Sequence, residues 1–135
     1  IMAQQYILDS NICIHLLRNR KEVVRAIAEV GWRNCHITEL TVVELYYGAE
    51  CSQNPRKNRA EVFSFLDDID ILPFSVCINE FCRQKFRLRK SGALIEDTDL
   101  YIGASAVAMG YTLVTENIKH LSRLENINLL NWVNR

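Results

Sequence analysis

Tyr6-Ile7-Leu8-Asp9-Ser10-Asn11 is the segment from which our prediction of the fold starts. Its first three residues make an apolar run of the length of a short buried strand, and the residues from Asn11 to Leu17 repeat apolar side chains at helical spacing. A strand that passes directly into a helix is typical of α/β proteins. Asp9 then lies at the carboxyl end of a strand, where parallel sheets place their binding and catalytic sites.

The same alternation of strand and helix continues along the chain. Further strands are predicted at 35–38, 69–72 and 112–115, with an edge strand at 127–130. Helices are predicted at 23–30 before Gly31, at 41–49, 60–66 and 76–90, and at 100–109 before Gly110. The pattern predicts an α/β fold: a three-layer α/β/α sandwich with a mainly parallel central sheet, formed by a single domain that spans residues 1–135.

The balance of charges and the cysteines narrow the class of protein. Lysine and arginine total 16, as do aspartate and glutamate, so the net charge identifies neither a nucleic-acid binder nor a membrane-surface protein. No apolar run approaches the ~20 residues of a membrane span, no signal peptide is recognised before Tyr6, and Ile1 before Met2 is expected to be a cloning remnant. An odd number of cysteines without a C-x-x-C pair favours reduced, buried thiols and a cytoplasmic protein. The cysteines are Cys13, Cys35, Cys51, Cys77 and Cys82.

Acidic side chains occur at three of the points where an apolar segment begins or ends. Besides Asp9, these are Glu44 within Thr41-Val42-Val43-Glu44-Leu45, and the pair Asp97 and Asp99 before the apolar run 100–109. A parallel sheet flanked by helices can bring such positions together at one edge. Carboxylates about 4 Å apart repel by roughly 4 kcal/mol at an effective dielectric near 20, so a cluster of them calls for a cation. The sequence therefore predicts a metal site.

Each acid also has a purely structural interpretation. Asp9 could be the N-cap of the helix that follows it. Thr41 and Glu44 have the spacing of a capping box, in which the glutamate returns to the threonine amide. Asp99 could cap the apolar helix, and Asp97 could belong to the preceding loop. Because capping alone does not predict acids at points that converge on one edge, we favour the metal site.

Other motifs in the sequence are weak. The histidines His15, His36 and His120 lack H-E-x-x-H spacing and are interpreted as structural or surface residues, and no glycine-rich phosphate loop follows the first strand. Ser10 and Ser105 have no identifiable histidine and acid companions for nucleophilic catalysis. Two groups of basic residues are either solvated helix faces, which we favour, or a rim for the backbone of a nucleic acid. They are Arg18, Arg20, Lys21 and Arg25, and Arg83, Lys85, Arg87, Arg89 and Lys90.

Four segments, taken in order, carry a resemblance to a known family. They are Tyr6-Ile7-Leu8-Asp9-Ser10-Asn11, Thr41-Val42-Val43-Glu44-Leu45-Tyr46-Tyr47-Gly48-Ala49, Ile95-Glu96-Asp97-Thr98-Asp99-Leu100-Tyr101-Ile102-Gly103-Ala104 and Leu113-Val114-Thr115-Glu116-Asn117. They resemble the motifs of PIN-domain ribonucleases, most closely those of VapC toxins from bacterial toxin-antitoxin modules. The resemblance spans essentially the whole chain. It implies a Mg²⁺- or Mn²⁺-dependent endoribonuclease, a homodimer, tRNA as the leading candidate substrate, and inhibition by a VapB antitoxin whose C-terminal segment wraps the toxin.

The resemblance also implies roles for particular residues. Asp9, Glu44 and Asp99 match the acids of the family's metal site, which are the catalytic residues. Ser10 replaces a commoner threonine and keeps the hydroxyl. Asn117 stands where many relatives have a fourth acid, and either Glu116 or Asp97 is the candidate replacement, so one metal and two metals both stay open. The residues expected to contact the substrate or support the acids are Ser10, Asn11, Thr115 and Asn117.

The reaction implied is hydrolysis of an RNA phosphodiester by a water that the bound cation activates. A metal-dependent phosphatase or phosphotransferase is the alternative, suggested by Asp97-x-Asp99 and by Asp9. Those chemistries usually use a D-x-D motif on the first strand, where this chain has Asn11. A non-catalytic binding module with a degenerate site is a weaker third interpretation. Phosphate release from a generic phosphomonoester, compared with Mg²⁺-dependent cleavage of RNA, separates these functions.

Overall fold

The computed structural model describes residues 3–134, so Ile1 and Met2, the site of the expected cloning remnant, lie outside the described residues. Its strands are β1 (Tyr6–Leu8), β2 (Cys35–Thr38), β3 (Asp70–Leu72), β4 (Thr112–Val114) and β5 (Asn128–Leu130). They form one parallel sheet in the order β3-β2-β1-β4-β5. β1 is the central strand, so Asp9 follows it in the middle of the carboxyl edge of the sheet.

Helices connect the strands and cover both faces of the sheet. They are α1 (Ser10–Leu17), α2 (Lys21–Val30), α3 (Glu39–Glu50), α4 (Pro55–Leu66), α5 (Ile78–Lys90), α6 (Asp97–Met109) and α7 (Ile118–Leu121). Short 3-10 turns occupy Trp32–Asn34 and Phe74–Cys77. In the described part of the chain, no helix is long and apolar enough to cross a membrane.

Two hydrophobic cores lie on opposite faces of the sheet. Leu8 packs in the first core, which draws its other members mainly from α1, α2, α3 and α4. Its neighbour Ile7 packs in the second core with Leu88 of α5, Leu100 of α6 and Leu121 of α7. Successive residues of a strand point to opposite faces, and an all-parallel sheet is stable when both faces are covered. The predicted three-layer α/β/α sandwich with a parallel sheet is confirmed.

The start of α3 differs from the prediction, and the difference bears on Glu44. The helix begins at Glu39, and the Oγ1 atom of Thr38 accepts a hydrogen bond from the Thr41 amide at 3.2 Å. Thr38 is therefore the N-cap and Thr41 is the third residue of the helix. The capping-box interpretation of Thr41 and Glu44 is wrong, because the amide that Glu44 would have capped lies inside the helix.

The start of α6 differs in the same way. The helix begins at Asp97 with Glu96 as its N-cap residue, and no side-chain capping bond is made there. Asp97 and Asp99 both lie in the first turn, where negative charge is favoured by the helix dipole. The interpretation of Asp99 as the cap of this helix is therefore wrong. Asp97 belongs to the helix and not to the preceding loop.

Other boundaries lie within two residues of the predictions except at two helices. All five strands lie within one residue of their predicted ends, and Gly31 and Gly110 end α2 and α6 with positive φ angles of 91° and 70°. The helix predicted from residue 60 begins at Pro55, because Asn54 caps it through the Lys57 amide and proline is well tolerated in a first helical turn. The sequence did not predict α7.

The cysteines are free thiols, as predicted. Cys13, Cys35 and Cys77 are buried, whereas Cys51 and Cys82 are exposed. Burial raises the pKa of Cys35 to about 12, so that thiol stays protonated at neutral pH. The prediction of buried thiols is wrong for Cys51, which follows the end of α3, and for Cys82, which has an exposed position on α5.

Candidate active site

Asp9 joins β1 to α1 and is almost fully buried. Its Oδ1 atom accepts a hydrogen bond from the Ser10 amide at 2.8 Å, so the residue is the N-cap of α1. Its Oδ2 atom accepts a hydrogen bond from the Thr115 hydroxyl at 2.7 Å, across the 106 residues that separate them in sequence. Burial raises the pKa of Asp9 above its ordinary value, against the effect of these two hydrogen bonds. The capping and strand-end interpretations of Asp9 are therefore both correct.

Glu44 lies in the middle of α3 and is half-buried. Its Oε1 atom accepts a hydrogen bond from the Ser10 hydroxyl at 2.6 Å, and that hydroxyl lies 3.4 Å from Oγ1 of Thr41. Ser10 follows Asp9 directly, so the side chain of Glu44 reaches across to the start of α1. The contact attaches α3 to the residue next to Asp9.

Asp99 completes the group from the first turn of α6. Its Oδ2 atom accepts a hydrogen bond from the side-chain amide of Asn117 at 2.9 Å, and the Asn117 backbone amide donates to the Thr115 hydroxyl at 2.9 Å. Burial raises the pKa of Asp99, and the negative charges of Asp9, Glu96 and Glu44 raise it further. The three predicted acids therefore act on one another electrostatically, although they come from three elements.

The other predicted residues are placed as follows. Ser10, Thr115 and Asn117 each donate a hydrogen bond to one of the three acids or to its neighbour. Asn11 lies in the first turn of α1, and its buried Oδ1 atom has no hydrogen-bond partner among the described residues. The fold therefore leaves this hydrogen-bond acceptor unused, and Asn11 directly follows Asp9 and Ser10 in the sequence.

The two candidate replacements for a fourth acid are paired with basic side chains elsewhere. Oε1 of Glu116 lies 2.5 Å from Nε2 of His15. Asp97 is exposed and lies 3.1 Å from Nζ of Lys85 on α5. In both cases the carboxylate is held toward another helix, α1 or α5.

Sequence reasoning missed three residues that accompany Asp99. Glu96, His120 and Arg123 line, with Asp99 and Asn117, a cleft of about 460 Å³ beside α6 and α7. The positive charge of His120 lowers the pKa of Asp99, against the acids that raise it. His120 lies three residues after Asn117, one turn along α7, and this spacing would have been informative had the sequence predicted a helix there. His36, in contrast, is a structural residue that bonds Asp70 and Gln5.

Much of the basic residue group on α5 is neutralised by acids. Arg83 pairs with Glu80 and Glu125, and Lys85 pairs with Asp97. In the first basic group, Arg20 pairs with Glu22. These pairs favour the interpretation of both groups as solvated helix faces.

The acids suit a hard divalent cation by their chemistry. Among residues 3–134, no group of three His, Cys, Asp or Glu side chains is arranged to hold a metal ion by itself. Mg²⁺, however, usually binds one or two carboxylates and keeps several of its waters, so it does not require such a cage. All the donors here are oxygens. Burial and the neighbouring acids raise the pKa of Asp99, and a cation would relieve the repulsion among these acids. The residues fit Mg²⁺ or Mn²⁺ bound partly through water.

Comparison with known proteins gives relatives over nearly the full chain. Residues 6–126 match the family model of the PIN domain. Ribonuclease VapC2 of Haemophilus influenzae is 34% identical over 131 residues, which cover 96% of this chain and 98% of that protein. The tRNA(fMet)-specific endonuclease VapC of Shigella flexneri is 30% identical over 129 residues, which cover 95% and 98%.

Solved structures agree with the sequence comparison. A crystal structure of VapBC2 from Rickettsia felis, bound to a DNA fragment from the promoter, superposes with a TM-score of 0.89 at 28% identity and covers 96% of this chain and 100% of that one. The fold and the relatives lead to the same family. The chain belongs to the PIN domain family, among its VapC ribonucleases.

Proposed function

We propose that the chain is a Mg²⁺- or Mn²⁺-dependent endoribonuclease and the toxin of a toxin-antitoxin system. The observation that carries the proposal is the convergence of Asp9, Glu44 and Asp99, each bonded to a neutral donor, at the carboxyl edge of a parallel sheet. A neutral donor orients a carboxylate and leaves its charge available for a cation. The names of the relatives support a nuclease acting on RNA.

The proposed roles follow from the contacts of each residue. Asp9, Glu44 and Asp99 would hold the cation directly or through water. The bound cation would activate a water and offset the charge of the phosphate. Thr115, Ser10 and Asn117 orient these acids, while each carboxylate keeps acceptor capacity because its oxygens have about four acceptor sites in total.

We further propose tRNA as the substrate class and a VapB-type antitoxin as the partner. The relative from Shigella flexneri is named for a tRNA, and the structure from Rickettsia felis is that of a VapBC complex. A homodimer in the cytoplasm completes the proposal, and light scattering on the purified chain tests the dimer. Sequencing of RNA 5′ ends after brief expression of the chain would identify the RNA that is cut.

Substitution of single acids tests the nuclease. Asp9→Asn and Asp99→Asn remove one negative charge with little change in shape, and each should lower Mg²⁺-dependent cleavage of labelled tRNA by at least about 100-fold. Asp67→Asn, at an exposed position after α4, is the matched control and should cleave normally. Full activity in both site variants would overturn the assignment. Phosphate release from p-nitrophenyl phosphate without RNA cleavage would favour the phosphatase instead.

A further inference from the structure

The cleft beside Asp99 contains a histidine whose side chain the fold does not use. His120 is exposed on α7, and its imidazole makes no hydrogen bond or ion pair with residues 3–134. The other two histidines are both engaged, His15 with Glu116 and His36 with Asp70 and Gln5. Both ring nitrogens of His120 therefore remain available in a cleft that also contains one of the proposed metal-binding acids.

A second basic side chain of the cleft is held in place by the backbone. Nη1 of Arg123 donates to the carbonyl oxygens of Ala93 and Leu94, each at 3.2 Å. These bonds use one nitrogen of the guanidinium. Arginine has five N–H donors in a planar fork, so the remaining donors can bind a ligand without loss of the anchor.

The segment 118–125, which carries His120 and Arg123, is attached to α5 by the buried side chain of Gln84. Gln84 is fully buried, donates to the Glu125 carbonyl at 3.0 Å and accepts from the Glu125 amide at 3.1 Å. Arg87 donates to the carbonyl of Arg123 at 2.5 Å. Since an anchored donor loses less conformational freedom when it binds an anion, Arg123 is organised in advance for a ligand.

We propose that His120 and Arg123 form a binding site for a phosphate of the RNA backbone, next to the phosphodiester that is cut at Asp99. The inference rests on the proposed nuclease function and adds the path of the substrate. Glu96 and Asp99 repel an RNA backbone that enters this cleft, and the two basic side chains on its wall offset that repulsion. Phosphate contacts of this kind position a nucleic acid without reading its sequence.

Binding of labelled RNA in the absence of a divalent cation tests the proposal separately from cleavage. Fluorescence anisotropy with fluorescein-labelled tRNA in EDTA should show about a two- to tenfold weaker affinity for His120→Ala, the range of one lost hydrogen bond. Arg123→Gln should weaken binding and lower the dependence of log affinity on log salt by about one. Lys119→Ala, the exposed neighbour on α7 that does not line the cleft, is the matched control and should lose less than His120→Ala.

Kinetics give a second readout that a purely structural role would not change. A lost phosphate contact should raise KM for tRNA in Mg²⁺ and leave kcat and the melting temperature of His120→Ala unchanged. Equal RNA affinity of wild type, His120→Ala and Lys119→Ala, with normal cleavage by wild type, would overturn the phosphate site and leave the nuclease intact. A wild type that neither binds nor cuts RNA would overturn both. Because His120 is exposed, the result with His120→Ala decides even if Arg123→Gln fails to fold.

Discussion

The three carboxylates of the proposed site accept hydrogen bonds from neutral side chains and are not paired with basic residues in the described part of the chain. A hydroxyl or an amide fixes the direction of a carboxylate but does not cancel its charge. Acids outside the group, such as Glu116 and Asp97, are instead paired with His15 and Lys85. The difference separates acids available to a cation from acids used in the structure. The neutral pairs are Ser10 with Glu44, Thr115 with Asp9, and Asn117 with Asp99.

Among substitutions of single residues, Glu44 gives the clearest prediction, because its role in a capping box has been excluded. Glu44→Gln keeps an oxygen that can accept from Ser10 but removes the charge. We expect at least about a 100-fold loss of Mg²⁺-dependent tRNA cleavage, measured on a gel, with little change in melting temperature. Glu39→Gln, an exposed glutamate on the same helix, should cleave like wild type. Unchanged cleavage by Glu44→Gln would make Glu44 a structural residue.

The ionised side chain of Asp99 should lower the free energy of unfolding when no metal is bound. Its pKa is raised in the folded chain, so the ionised form destabilises the fold above that pKa, and this penalty is relieved as pH falls from neutral toward the ordinary value of 3.8. Asp99→Asn should therefore melt at a higher temperature than wild type in EDTA at pH 7, and the difference should shrink at lower pH. Mg²⁺ should raise the melting temperature of wild type more than that of the variant. A variant that melts lower in EDTA at pH 7 would contradict this account.

Whole helices are positioned by their starts and by close approaches that only some residues permit. Thr38, not Thr41, is the N-cap of α3, and this sets the turn of the helix on which Glu44 lies. Gly103 of α6 lies where an added Cβ would be 2.8 Å from Leu124 and 3.0 Å from Leu121, both buried. Gly48 of α3, in contrast, has no atom within 4 Å of such a Cβ. The close contact is therefore made by α6 with α7 and the residues that follow it.

The two glycines provide a matched pair of substitutions. Gly103→Ala should destabilise the fold by about 1–3 kcal/mol, the cost of an extra methyl group in a packed core, because Leu121 and Leu124 would have to move. Gly48→Ala should stabilise it by about 0.5–1 kcal/mol, the gain in helix propensity at an open position. Urea denaturation measures both. Equal effects of the two substitutions would show that Leu121 and Leu124 do not restrict the size of the side chain at residue 103.

Two of the depressions in the described part of the molecule border the proposed acids. Glu44 lines a groove of about 210 Å³ between α1, α3 and α4, whose walls include Ile14, Leu45 and Val62. Asp99 lines the separate cleft with His120 and Arg123. The apolar groove suits a peptide, whereas the basic residues of the cleft suit RNA. Glu44 is thus reached from the groove and Asp99 from the cleft.

A cognate antitoxin should compete with the metal for the acids. We expect its gene beside that of this chain, and an arginine of its C-terminal segment bonded to the acids, since a guanidinium binds carboxylates bidentately. An antitoxin peptide should bind more weakly as Mg²⁺ rises, and about tenfold more weakly to Asp99→Asn. Calorimetric titrations measure both effects, with a peptide carrying glutamine for arginine as the control. A peptide that binds wild type and Asp99→Asn equally at every Mg²⁺ concentration must dock elsewhere.

The sequence by itself determined the strands, the layers and the positions of the three acids. These features depend on local patterns: apolar runs for buried strands, glycines at positive φ for helix ends, and acids at the ends of apolar segments. The ordered motifs also led from the sequence to the family. Short-range patterns carry such information because the period of apolar residues determines which face an element buries.

Only the tertiary structure decided which residues work together. Thr38 and Thr41 are equally good caps by sequence, and the choice depends on where the backbone turns from β2 into α3. The bond from Thr115 to Asp9 depends on β1 and β4 being neighbours in the sheet. His120 joins Asp99 because α7 packs on α6, a contact that no local pattern encodes. Contacts between distant segments depend on strand order and helix packing, so the partners of each acid followed from the fold and not from the sequence alone.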